Sequence, residues 1–338
     1  MSCGSAPSCD PGLPDNALFH RPGDEPAIAA HSDGASDSFD DEFEPSEWDE
    51  DNLSDTTSIN SSIYAHTYEH GRRFHKYRHG RYPIPNDDQE QSREDMKHAM
   101  YMELTNGELF YSPIGDNPQK ILDIGTGTGL WAIEVGDKFP SAIVTGLDLS
   151  PIQPVWIPPN VNFIIDDAED EWMNGSAWDL VHCRGMSTTI KDPHKLCQQT
   201  FDNLKPGGWM EWQEQHANFL CDDGTMNPDD DLIKLYRLAT QAFERIGYDV
   251  HLASKLREPL EKAGFVNVRC VVKKIPIGTW PADKTLRLVG MYMKTAIQSF
   301  LPVIIAKPLA LLGIPEDERE VWRALALRSL SKSDQHRY

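Results

Sequence analysis

From residue 120 onward the apolar positions switch repeatedly between two periods. "KILDIG" is a short apolar run closed by glycine, and "GLWAIEVGDKF" then spaces its apolar residues three and four apart, the period of a helix. "AIVTGLDLS", "VNFIIDDA" and "WDLVHCRG" are strand-like, "PHKLCQQTFDNL" is helix-like, and "GWMEWQEQ" reads as a fifth strand after the turn "KPGG". Helical spacing resumes over about 229–246 and 251–263, and "VNVRCVVKKIPI" is a late β-rich run. Strands separated by helices predict a parallel sheet covered on both faces, a doubly wound α/β fold. Ligands of such folds sit beyond the carboxyl ends of the strands, near the switch point.

Upstream the pattern is weaker. "SINSSIYAHTYEHGRRFHKYRHGRY" (58–82) opens with serines suited to an N-cap and carries Ile59, Ile63 and Tyr64 near helical spacing. After "PIPNDDQEQ" a second helix is expected, starting near Ser92 and stopping at Asn106-Gly107. The chain therefore divides into a tail (1–57), a helical lid or N-terminal extension (58–118) and an α/β domain (119–338) with helical insertions at about 225–263 and 282–330. "AIQSFLPVIIAKPLALLGI" (296–314) is the longest apolar stretch, but Pro302, Lys307 and Pro308 interrupt it, so a buried or lid helix pair is expected rather than a membrane span.

Charge sharpens the division. Of the net −21, about −14 lies in the first sixty residues, where fifteen acids face one base, Arg21. That acidic, serine-rich tail cannot bury enough apolar surface to offset its ordering entropy and is read as disordered. Phe39, Phe43 and Trp48 among the acids leave open a regulatory protein partner through the tail. With no basic region ahead of an apolar core at the N-terminus, and six scattered cysteines, a soluble intracellular protein with free thiols and no metal site is expected.

"KILDIGTGTGLWAIEVG" holds the chemistry. A P-loop needs Lys and Ser or Thr after its second glycine, but Leu130-Trp131 follow Gly129. The dinucleotide turn puts its third glycine at the sixth position; here it comes one residue early. Asp123, two residues before Gly125, would repel a pyrophosphate and attract a cationic amino-acid group. Asp148 ends the next strand, where an acid accepts ribose hydroxyls, and Asp166 and Asp167 follow the strand after that, near where an adenine amine would lie. An amine, a ribose and an adenine without phosphate describe S-adenosylmethionine.

"LDIGTGTG", "GLDLSPI", "DDAED", "WDLVHCRGM" and "LKPGGWMEWQE" follow one another in an order that resembles the class I S-adenosylmethionine-dependent methyltransferases. "HGRRFHKYRHGRYPIPNDDQEQSREDMKH", "NGELFYSPI" and the final "SDQHRY" are similar to the fungal LaeA-like (TAM-domain) branch. The resemblance covers roughly 58–338 and implies a Rossmann-like, mainly parallel, seven-stranded-type sheet. It further implies that Asp123, Gly125, Gly127 and Gly129 form the cofactor loop, that Asp148 takes the ribose with Leu149 packed nearby, and that Asp166, Asp167 and Ala168 border the adenine.

Methyl transfer asks the protein mainly to align acceptor and methyl and to exclude water. Where the acceptor must lose a proton, a histidine is the usual base. His216, after the fifth strand, is the candidate; His182 reads as a packed strand residue, and Arg184 either binds an acidic acceptor or pairs with Asp179. The basic stretch "HGRRFHKYRHGRY" is read as a lid over the cofactor cleft, because an acidic folded region disfavours nucleic acid. Two functions stay open: a cytoplasmic enzyme methylating a small-molecule acceptor of secondary metabolism, and a nuclear LaeA-like regulator of metabolite gene clusters acting through protein partners.

Overall fold

The computed structural model describes residues 27–30, 65–69, 71–78 and 83–338. Most of the acidic tail, with Phe39, Phe43 and Trp48, and the helical spacing of Ile59, Ile63 and Tyr64, lie outside the described residues. Within the tail, Ala30 forms an antiparallel bridge with Pro281.

Five strands form the central sheet: β3 (Lys120–Ile124), β4 (Ile143–Asp148), β5 (Val161–Ile165), β6 (Trp178–Arg184) and β7 (Leu204–Gln213). All pair in parallel, in the order β5-β4-β3-β6-β7. The chain winds outward from β3 through β4 to β5, then crosses back to β6 on the other side. The switch point is therefore between β3 and β6. Period-two alternation divides the sheet's apolar residues between its faces. Leu122, Ile124, Val181 and Cys183 pack with Leu196 of α3 (Pro193–Asn203), whereas Ile121, Val144 and Leu180 pack with Trp131 and Val135 of α2 (Leu130–Lys138).

A helical layer stands beside the sheet. It comprises α1 (Asp88–Leu104), α4 (Asp231–Arg245), α6 (Lys284–Leu311) and α7 (Glu316–Leu330), while α5 (Arg257–Ala263) packs on α3. Aspartates set the starts: Asp87, Asp230 and Asp283 accept from Glu90, Leu232 and Leu286 amides at 3.1, 3.0 and 2.9 Å. The aspartate at 87 is why α1 begins four residues before Ser92, while Asn106 (φ +55°) and Gly107 (φ +83°) stop it as expected.

Three expectations change. Residues 66–75 form a β-hairpin, β1 (His66–Glu69) with β2 (Arg72–His75), instead of a helix. Gly71 at φ +75° supplies the turn, and Phe74 and His75 are buried. The run 266–277 is not a strand, so the sheet has five strands among the described residues. The end of this run spends its backbone elsewhere: the Ile277 amide donates to Arg337 O at 2.8 Å, and Pro276 has no N–H. The expected helix pair at 296–314 belongs to one long helix, α6, which runs through Pro302 and Pro308. Its length and composition would suit a membrane span, but Ile297, Leu301, Ile304 and Leu309 are core residues packed with α4 and α7.

Candidate functional site

The carboxyl ends of the strands open into a cavity of 1360 Å³. The β3–α2 loop forms one wall. Gly125, Gly127 and Gly129 stand at φ +67°, +58° and +86°, so the tight turn requires them. A Cβ on Gly125 would lie 2.3 Å from Met186 Sδ, because the loop after β6 crosses here; one on Gly129 would lie 2.5 Å from the Phe163 ring. A Cβ on Gly127 would meet nothing within 4 Å, so this residue faces open space.

Four of the five amides from 125 to 129 are already spent. Gly125 and Thr126 donate to Leu147 O at 2.8 and 3.0 Å, and Gly129 donates to Thr126 O at 2.9 Å. Gly127 donates to Asp148 Oδ2 at 2.8 Å. A phosphate cradle needs such amides free; this loop offers a phosphate little and is paired with a carboxylate instead. Asp148 Oδ1 accepts from Ser150 N at 2.8 Å. Burial pushes the Asp148 carboxyl up to about 6, against the pull of the Ser150 and Gly127 amides.

Asp148, Leu149, Asp166, Asp167, Ala168, Gly125, Gly127 and His216 all line the cavity. Gly129 lies behind the loop. Asp123 does not reach the wall: it is 3% exposed, accepts from Thr126 Oγ1 at 2.6 Å and meets His182 Nδ1 at 2.7 Å. Asp123 and His182 are cross-strand partners on the α2 face, where Trp131 stacks on the His182 ring at 3.7 Å. Its carboxylate braces the loop from below instead of approaching a cationic ligand group. Asp166 accepts from Asp167 N at 2.8 Å and Asn174 Nδ2 at 2.7 Å; Asp167 accepts from Glu169 N at 3.0 Å and Arg78 Nη1 at 3.2 Å.

His216 stands exposed on the wall, its ring 6.1 Å from that of His251. Burial, and then the neighbouring His251, lower its basicity, which keeps it neutral and able to accept a proton near pH 7. Arg184 lines the cavity but does not pair with Asp179. It donates toward His98 Nδ1 at 2.9 Å and lies over the Tyr101 ring at 4.8 Å, while Asp179 pairs with Lys205.

Helix α1 contributes a face that sequence reading missed. Glu90, Glu94, Lys97 and Tyr101 line the cavity at helical spacing, which is the signal that was available. Burial opposes ionisation of Glu94, but Arg93 and Lys97 outweigh it and bring its carboxyl down to about 2. Asp95 on the same helix accepts from Thr128 Oγ1 at 2.6 Å and ties α1 to the glycine loop. Glu214 faces the cavity from the end of β7, accepting from Ser187 N at 2.8 Å and Gln215 N at 3.0 Å.

A profile of the methyltransferase-domain family matches residues 96–269, just over half of the chain. The chain belongs to the S-adenosylmethionine-dependent methyltransferases. It is 42% identical to methyltransferase pytC of Aspergillus terreus over 71% of this chain and 75% of that one. It is 36% identical to the secondary metabolism regulator LAE1 of Cochliobolus heterostrophus, over 71% of this chain and 80% of the regulator. A third relative, the protein-methionine methyltransferase laeA of Emericella nidulans, is 32% identical over 76% of this chain and 70% of its own. Solved structures resemble it only loosely. A phosphoethanolamine N-methyltransferase of Haemonchus contortus aligns over 72% of this chain and 50% of its own, with a TM-score of 0.38 and 17% identity. The site fits the methyltransferase cofactor: spent loop amides, open space at Gly127 and an acid at Asp148 suit a ribose and an amino acid without phosphate.

Proposed function

We propose that this methyltransferase acts on a small molecule of secondary metabolism that carries an ionisable oxygen or nitrogen on a bulky apolar body. The observation that carries the reading is the cavity's size together with its far wall. At 1360 Å³ it exceeds what one cofactor fills, and the wall beyond the glycine loop is built from Tyr236, Phe243, Ile297 and Phe300 of α4 and α6. An apolar body buried there orients the acceptor, and a few polar groups fix its reacting atom.

Bound S-adenosylmethionine supplies an activated methyl group on a sulfonium. The protein supplies position and proton transfer. Asp148 accepts the ribose hydroxyls, Asp167 and Ala168 border the adenine, and Lys97 or Arg184 meets the amino-acid carboxylate. His216 removes the acceptor proton, which its neutral imidazole can hold. The helices α1, α4 and α6 exclude water from the in-line path.

A second reading has its own support in the LaeA-type relatives, which are secondary metabolism regulators. On that reading the chain works in the nucleus through protein partners, with the acidic tail as a docking segment; on the first it works in the cytoplasm. Metabolite profiling decides between them, in a strain lacking the gene and complemented with wild type or with a Gly125→Arg, Asp148→Ala double variant. Loss of one product with build-up of a compound one methyl group lighter, rescued only by wild type, supports the enzyme. Silencing of unrelated pathways supports the regulator. Rescue by the double variant defeats both, since each depends on bound cofactor.

A further inference from the structure

The basic stretch 70–82 holds one residue whose position the methyltransferase reading leaves unexplained. Arg78 stands in the left-handed region at φ +49°, where a residue with a Cβ is strained. Its guanidinium spans two carboxylates on the loop after β5. Nη1 donates to Asp167 Oδ2 at 3.2 Å and to Asp170 Oδ1 at 3.0 Å, and Nη2 donates to Asp170 Oδ2. The two acids differ sharply in setting. The Asp167 side chain is 5% exposed and on the cavity wall; that of Asp170 is 43% exposed and off the wall.

Two further contacts lie nearby, one from the stretch and one from beyond it. His75 Nδ1 meets Ser150 Oγ at 3.2 Å, and Asn86 Nδ2 lies 3.5 Å from the same oxygen. Ser150 is the residue whose amide holds Asp148. Residues 75–78 thus lie across the ends of β4 and β5, over the acids assigned to the ribose and the adenine. Asp170 acts as an outer post, and the planar fork of Arg78 transmits that anchorage to the buried carboxylate.

We propose that Arg78 is a positioning residue: it fixes the Asp167 carboxylate so that the enzyme accepts a 6-amino purine and rejects a 6-oxo purine. This rests on the reading of Asp167 as the neighbour of the adenine amine. A fixed carboxylate accepts from an amine at that place. Facing a carbonyl oxygen instead, its remaining lone pairs meet a second acceptor, and a site built for one hydrogen-bond donor discriminates strongly against its absence. A carboxylate free to turn loses that discrimination while keeping the rest of the site.

The test titrates S-adenosylhomocysteine and S-inosylhomocysteine into the full chain by calorimetry, using wild type, Arg78→Ala, Arg78→Lys and Asp170→Asn. Wild type is expected to prefer the adenine ligand by tenfold or more, in line with a charge-assisted hydrogen bond. Arg78→Ala should bring the ratio below about threefold. Arg78→Lys, a single ammonium that cannot fork across two carboxylates, should fall between them, as should Asp170→Asn. A merely structural role would weaken both ligands alike and leave the ratio intact, and that result overturns the proposal. Wild type that binds the two ligands equally removes Asp167 from the adenine site, and wild type that binds neither removes the cofactor assignment.

Discussion

Cofactor affinity should rise with pH across the range in which Asp148 ionises. Burial holds this carboxyl at about 6, above its ordinary 3.8. With that value roughly a tenth of the protein carries Asp148 as carboxylate at pH 5 and about nine-tenths at pH 7. If the carboxylate is what accepts the ribose hydroxyls, S-adenosylhomocysteine binds about tenfold more weakly at pH 5 than at pH 7, close to 1.4 kcal/mol. The ligand's own ammonium and carboxylate keep their charges throughout. Stability moves the other way in the unliganded protein. A folded-state value above the unfolded one means that folding takes up a proton between about pH 4 and 6, so Asp148's contribution to stability falls as pH rises through that window. The ligand-induced rise in Tm should therefore grow with pH, and the unliganded Tm of wild type should fall with pH relative to that of Asp148→Asn. Calorimetric titrations at pH 5, 6 and 7 and constant ionic strength check the first part, and differential scanning the second. Asp148→Asn should bind weakly at every pH. A wild-type affinity flat from pH 5 to 7, or an unchanged slope in Asp148→Asn, would refute the assignment of the ribose to this residue.

The glycine loop yields a matched pair. Gly125→Ala puts a Cβ 2.3 Å from Met186 Sδ and should cost roughly 1–3 kcal/mol of stability as well as cofactor binding. Gly127→Ala meets no atom, so only its positive φ is penalised, by about 1 kcal/mol, yet cofactor affinity should drop tenfold or more because the methyl enters the cavity. Denaturant melts beside ligand titrations separate the two, and normal cofactor binding in Gly127→Ala would place the ligand elsewhere. His216→Asn should lower kcat by on the order of a hundredfold with cofactor affinity intact. The wild-type acid limb should lie below pH 6.5, the ordinary value from which burial and then His251 pull His216 down. His251→Ala removes one of those causes and should move that limb upward. Arg337→Met leaves Asp230 without one of its buried partners and should cost on the order of 3 kcal/mol in chemical denaturation; a loss under about 1 kcal/mol would mean that Lys332, Ser329, Gln335 and the Leu232 amide satisfy the acid without it.

The sheet was legible because parallel strands buried on both faces must be written as apolar runs, and glycine or proline turns must close them. "WDLVHCR" is such a run, and β6 is buried along it up to Arg184. The hairpin was not. His66–His75 holds only four residues per strand, with histidines and arginines at half of its positions, so neither period stands out. What fixes it is tertiary: Lys307 from α6 pairs with Glu69 at 3.3 Å and lies over the Phe74 ring. The run 266–277 failed in the opposite way. Its apolar pattern is strand-like, but the buried Lys274 is drawn to Asp222 at 2.8 Å, and residue 337 takes the ladder position at its end.

The same division governs the site. Asp148 and the glycines stand out in the sequence because their setting is local: a turn and the strand end beside it. Asp123 was misjudged for a reason that alternation itself supplies. Two positions before Gly125 it shares a face with Ile121, and the register sets it opposite His182, so its carboxylate points into the layer under α2. An acid in a buried strand finds a donor inside the protein before it can reach a ligand. Lys97 went unread, and Arg184 and Glu214 were not joined with it, because no one stretch holds all three. One comes from a helix and two from strand ends, and the wall exists only once α1 is laid across the switch point by Asp95 and Thr128. The acceptor is chosen on that composite wall and on α4 and α6, so the cofactor was readable from one motif whereas the substrate class required the fold.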